Sequence, residues 1–192
     1  MASGADKLTI FRPLPGLPPY GPLATSFPGS FVRSGSEGYV VEFFPDTGDA
    51  WVANFRPGLG GYSGAHMHPN ETDVVVFAKG TGYVIDASAR ELKKDFGGAI
   101  AHVWEQSDPP GLLCDRQGLA FFLIGRQGVV WHTKRLSWDG FRDVVVTTKR
   151  ITGLAFALEE EWRPFEVDLL TGASRGGSVP DGIDTDWEQL AK

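Results

Sequence analysis

The 192-residue chain is 42% hydrophobic and carries 18 Lys plus Arg against 24 Asp plus Glu, a net charge of −6. That length and apolar content suit one compact domain, and the acidic balance offers no basic stripe to nucleic acid. With 25 glycines, 13 prolines and a single cysteine, the composition excludes a helical bundle and a disulfide scaffold and points to a β-rich protein of a reducing compartment.

At the N-terminus, "MASGADKLTI" has no apolar core of a signal peptide, and the longest apolar runs, such as "LAFFLI" at 119–124, are too short to cross a bilayer. A soluble, cytoplasmic protein with no membrane partner is expected. Residues 1–37 read as a Pro/Gly-rich arm, its densest part being "RPLPGLPPYGPLATSFPGS" at 12–30, extended on the surface or on a partner subunit. From residue 38 to 150 short runs rich in Val, Phe, Trp and Ile alternate with Gly, Pro, Asp and Asn, the pattern of an antiparallel barrel or sandwich. "ASARELKKDF" (87–96) and "LAFALEEEW" (154–162) are each expected to hold a short helix. Residues 151–192 form a C-terminal extension whose polar tail is loosely ordered or docked through Trp187. A single domain without internal repeats is the expectation.

Chemistry concentrates in "GAHMHPNETDVVVFAKG" at 64–80. On a strand, residues i and i+2 share a face, so His66 and His68 aim two imidazoles the same way. Asp73 opens the next apolar run and pairing could bring its carboxylate beside them. His132 follows the turn Arg126–Gly128 and is the expected third imidazole, with His102 as the alternative. Such a set suits zinc, iron, manganese, nickel or cobalt as a divalent transition metal, although the two histidines could also work without metal as acid and base. Lys134 shares the face of His132 and, with Tyr83, is a candidate proton donor to a leaving group.

The intervals from Gly60 through His66, His68 and Asp73 to Gly80 resemble the first motif of the cupin family, with Asp73 where cupins usually carry glutamate. Arg126, Gly128 and His132 resemble its second motif, with the histidine one residue late. Within cupins the chain is similar to the ureidoglycolate lyase group, through His68, Pro69 and Thr72 and through Gln127, Gly128, Val129, Trp131 and His132. The resemblance covers roughly residues 10–150. It implies an all-β, cupin-type antiparallel jelly-roll β-barrel with short peripheral helices. It also implies a small-molecule substrate and a metal-assisted lyase whose site, made of His66, His68, Asp73, His132, Lys134 and Tyr83, lies inside the barrel. Alternatives are an isomerase or cyclase acting on an apolar metabolite, a dioxygenase, or a non-catalytic ligand-binding cupin. A homodimer is expected, because a Pro-rich arm and exposed edge strands commonly meet across a two-fold axis.

Overall fold

A computed structural model describes residues 10–29, 31 and 36–183, which leaves Trp187 outside the described part of the chain. The described residues form sixteen strands in four separate four-stranded sheets and contain no α-helix.

In the first sheet β1 (Phe11–Leu14), β2 (Thr25–Phe27), β3 (Tyr39–Phe43) and β4 (Trp51–Phe55) lie in the order β1-β3-β4-β2, with β2 parallel to β4. The other three sheets are simple antiparallel meanders. The second holds β5 (Gly64–Met67), β6 (Val74–Ala78), β7 (Thr81–Asp86) and β8 (Glu91–Gly97). The third holds β9 (Ile100–Ser107), β10 (Pro110–Arg116), β11 (Ala120–Gly125) and β12 (Gly128–His132). The fourth holds β13 (Phe141–Val146), β14 (Arg150–Phe156), β15 (Trp162–Asp168) and β16 (Ser174–Gly176).

This topology overturns the jelly-roll barrel. A jelly roll builds its sheets by Greek-key connections, whereas here sheets two to four each take four consecutive strands and no closed barrel forms. It also contains a repeat, where none was expected from the sequence. The meanders begin at residues 64, 100 and 141, spacings of 36 and 41 residues. Between the last two strands of the second and fourth meanders the same turn recurs. Asp86 Oδ1 accepts the amides of Ser88 and Ala89, and Asp168 Oδ1 accepts those of Leu170 and Thr171. Such an Asx-turn is a short-range device that reverses the chain wherever Asp precedes two free amides.

Both expected helices are hairpins instead. Over 87–96 the Asp86 turn and Arg90, at a φ of 59°, reverse the chain into β8. Over 154–162 strand β14 ends at Phe156 and a turn with Glu160 at a φ of 61° leads into β15. Part of the N-terminal arm is woven into the first sheet as β1 and β2, and residues 151–176 supply most of the fourth sheet.

The sheets stack in chain order, with one apolar core between each neighbouring pair. Val41, Phe43 and Phe55 of the first sheet meet Val74, Val76 and Tyr83 of the second. On the other face of β6, Val75 and Phe77 meet Leu112, Cys114 and Phe122 of the third. Leu113, Phe121 and Leu123 of the third meet Ile151, Phe165 and Val167 of the fourth. Alternation explains the economy, since successive residues of β6 and β10 face opposite cores. It also explains why "VVVFA" reads as an unbroken apolar run: all five residues are buried. Phe77 packs edge-on to Tyr62, His66 and Phe96 at centroid distances of 5.6, 6.0 and 5.9 Å. Its truncation to alanine would cost about 3–5 kcal/mol.

In every sheet the first strand in sequence is an edge strand, and these four edges lie side by side. Strand β1 touches β5. Glu105 of β9 bonds His66 of β5, and the ends of β9 and β13 share a groove. The ends of β1, β5 and β9 therefore converge on one region of the surface.

Candidate functional site

At that convergence is a cleft of about 810 Å³. Ile10 and Phe11 of the first sheet wall one side, and Glu105 and Gln106 of β9 with Leu112 of β10 wall another. Between them lies the loop that joins β5 to β6, contributing His68, Pro69, Glu71 and Thr72.

The loop is built by its own polar side chains. Asn70 is its hub: Oδ1 accepts the amides of Thr72 and Asp73, while Nδ2 donates to Asp73 Oδ2 at 2.8 Å. The Asn70 amide donates to His68 Nδ1 at 3.1 Å, and the His68 amide donates to the Asp73 carbonyl at 2.9 Å. Glu71 takes a φ of 67° at the tip. Asp73 also accepts from Lys93 Nζ at 2.7 Å, and Lys93 reaches Asp86 at 3.2 Å. The carboxylate expected to bind metal thus anchors this loop to β8.

His68 is 7% exposed, and burial lowers its pKa from the ordinary 6.5. Because Nδ1 accepts the Asn70 amide, the proton of the neutral ring belongs on Nε2, a donor at the wall of the cleft.

His66 belongs to a different cluster. Its Nε2 lies 2.7 Å from the Tyr62 hydroxyl and its Nδ1 lies 2.6 Å from Glu105 Oε1. A neutral imidazole satisfies both, with Nδ1–H donating to the carboxylate and Nε2 accepting from the phenol. The Tyr62 ring folds over Gly64, where a Cβ would lie 2.7 Å from the hydroxyl oxygen. Burial, and after it the neighbouring Tyr39 and Glu105, raise the Tyr62 pKa, so the phenol stays protonated and donates.

The remaining expected site residues are dispersed. His132 lies on β12, at the edge of the third sheet opposite β9, about 14 Å away at ordinary strand spacing. A bulge between Leu123 and Ile124 sets its register, so His132 pairs with Phe122 while Trp131 turns to the fourth sheet and donates to the Leu169 carbonyl. Lys134 pairs with Asp181. Tyr83 is buried in the first core, donates to the Arg56 carbonyl at 2.7 Å, and has its pKa raised to about 12 by burial. His102 lies 3.2 Å from Asp115 and stacks on Trp104.

These placements correct the metal assignment. Among the described residues no three His, Cys, Asp or Glu side chains gather as an ion would require. Of the proposed ligands, His68 Nδ1 and both Asp73 oxygens already have protein partners, and His66 spans Tyr62 and Glu105. The cupin resemblance and its lyase site fall with the barrel interior in which they were to lie.

Tyr62, Glu105, Glu71 and Gln106 were not singled out from the sequence, nor was Asp46, which also lines the cleft. Glu105 meets His66 across 39 residues and two sheets, a relation that local spacing does not encode. The one available signal was the repeat, which would have shown that first strands converge.

No family model matches the chain, and no curated protein matches it. Among solved structures, the β-propeller domain of Cps50 (Swd1) from Myceliophteria thermophila is similar over 76% of this chain at 11% identity, with a TM-score of 0.44. This chain spans 55% of that domain. No helix among the described residues is long and apolar enough to cross a membrane.

Proposed function

We propose that the chain is a binding module of β-propeller type that holds a cationic peptide segment of a protein partner in the cleft at the ends of β1, β5 and β9. Four-stranded antiparallel sheets repeating at about 40 residues and converging by their first strands are the build of a propeller, whose central face gathers loops from several blades. In this reading the chain grips a ligand and does not transform it.

The observation that carries the choice of ligand is the sign of the lining. Asp46, Glu71 and Glu105 border the cleft, and among the described residues no Lys or Arg does. Glu105 keeps Oε2 beyond its bond to His66. His68 Nε2–H and the Gln106 amide supply donors for the carbonyls of an extended backbone, so charge and main chain are both served.

Calorimetric titration with an oligolysine peptide tests this, with oligoglutamate as the control. Binding of oligolysine alone, weakened about tenfold (~1.4 kcal/mol) by joint Asp46→Asn, Glu71→Gln and Glu105→Gln replacement, is expected. Equal binding of both peptides, or an affinity untouched by the three replacements, would overturn it.

A further inference from the structure

The second and third sheets bury both faces, because each is packed between neighbours. The two end sheets differ from them and from each other. On the first sheet the outward face is covered by the chain itself. Val40 is 1% exposed and Asn54 4%, and Asn54 accepts the Gly38 amide and donates to the Ser36 carbonyl, so the segment before β3 crosses there.

On the fourth sheet no side chain of the outward face is as buried as these: Leu154, Phe156 and Trp162 are half-buried and Pro164 is exposed. Ile151, Ala155, Phe165 and Val167 point into the third core, so alternation turns Leu154, Phe156, Trp162 and Pro164 outward. Cross-strand register joins these four into one patch: Leu154 lies opposite Pro164 and Phe156 opposite Trp162. Phe156 meets Trp162 edge-on at 5.4 Å, and the Arg142 guanidinium lies 4.5 Å from the Trp162 ring. Beside them Val145 is 55% exposed. Around this apolar centre runs a polar margin in which Arg150 and Arg175 both pair with Glu166.

We infer that this outward face of the fourth sheet is the interface of a two-fold homodimer, the occupant being the same face of a second copy. The stacking series supplies the argument. Each sheet-to-sheet contact among the described residues joins two apolar faces, and the patch continues that series on the outward face of the last described sheet. A copy added head to tail would have to offer the outward face of its first sheet, which is capped. Two fourth sheets face to face use one patch twice and close the assembly at two. Trp and Arg at the centre with ion pairs at the margin is the composition that such contacts favour.

Sedimentation equilibrium of the full chain, with and without Trp162→Glu or Pro164→Glu, tests the inference. The unaltered chain is expected to dimerise, and each variant to raise the dissociation constant about a hundredfold while keeping its circular dichroism spectrum. Should both variants lose that spectrum, a spin label at Val145→Cys reads the face directly. Cys114 is buried and the chain has no other cysteine, so only the exposed new thiol takes the label. A short interspin distance that vanishes on dilution with unlabelled chain supports the two-fold. A monomer at every concentration, or a dimer with no such distance or no response to either folded variant, overturns it.

Discussion

His66 on the first strand of the second sheet and Glu105 on the first strand of the third are joined at 2.6 Å, and the same imidazole takes the Tyr62 hydroxyl at 2.7 Å. Two sheets are thereby tied at the edge where the cleft opens. The Glu105 side chain is 70% exposed and that of His66 only 14%, so the two halves of the chain should contribute unequally. Glu105→Gln should cost no more than about 0.5 kcal/mol, the range of a solvated pair. Tyr62→Phe, which leaves a half-buried imidazole nitrogen without its donor, should cost about 1–2 kcal/mol. Urea unfolding of the two variants measures the difference, and a larger loss for Glu105→Gln would contradict this ordering.

Asp73 should prove to be a structural anchor. Its side chain is 5% exposed and bonded by Lys93 and Asn70, so Asp73→Ala strands the Asn70 amide and loosens the loop, at a cost of about 2–3 kcal/mol. Chelation should leave the unfolding temperature of the unaltered protein unchanged, because the carboxylate already has its cation in Lys93. A fall in that temperature on adding a chelator would restore the metal reading.

The acid limb of the stability curve should carry a contribution from His68. Burial holds its folded-state pKa below 6.5, so as pH falls through 6.5 the unfolded chain takes up a proton that the folded chain does not. Stability is therefore lost from about pH 6.5 downward until the folded pKa is reached, with a slope of at most ~1.4 kcal/mol per pH unit. In His68→Asn, whose Oδ1 can still accept the Asn70 amide, that increment should be absent. Equal slopes for the two proteins between pH 7 and 5, as rough working limits, would argue against a buried neutral imidazole.

Gly60 and Gly80, whose spacing from the histidines resembled a family motif, have a different physical reason to be glycine. The connection from β4 to β5 crosses the turn between β6 and β7, where Gly60 donates to the Lys79 carbonyl and Gly80 to that of Tyr62. A Cβ on Gly80, at a φ of 84°, would lie 2.6 Å from the Ile100 nitrogen and 2.7 Å from Gly60 Cα. Gly80→Ala should cost about 2–3 kcal/mol by thermal or urea unfolding. A neutral outcome would mean that the crossing can relax.

Cys114 should be silent to thiol reagents in the folded protein and react on denaturation. It is wholly buried between the second and third sheets, and burial pushes its pKa well up. Rapid labelling by a disulfide reagent under native conditions would show that these sheets part readily.

Strand character was legible over much of residues 38–150, because it is written in local patterns such as the apolar run of β6 and the Phe-rich β11 with Gly and Asp turns around them, whereas β8 and the β14–β15 hairpin read as helices. The assembly of strands into sheets was not. Glycine and histidine intervals can be matched by chance, and in this chain the crossing at Gly60 and Gly80 and the Asn70-centred loop produced the same spacing for reasons of their own. The repeat was obscured because its meanders share few side chains. Asp86 and Asp168 open the same turn, but the corresponding turn of the third sheet is Gly125–Gly128, with no Asp. His66 lies on a strand as expected, but it faces Glu105 on the neighbouring sheet, 39 residues along the chain, and not a barrel interior shared with His68, a relation that spacing along the chain cannot reveal.

The first sheet takes its outermost strand from residues 25–27, upstream of the two strands at its centre. The backbone ladder of that sheet is therefore complete once Phe55 has been synthesised, and later residues add only the second sheet that covers its apolar face. The first sheet can thus serve as a template on which each later sheet condenses in turn, so a product shortened within a later sheet would retain the ordered sheets before it.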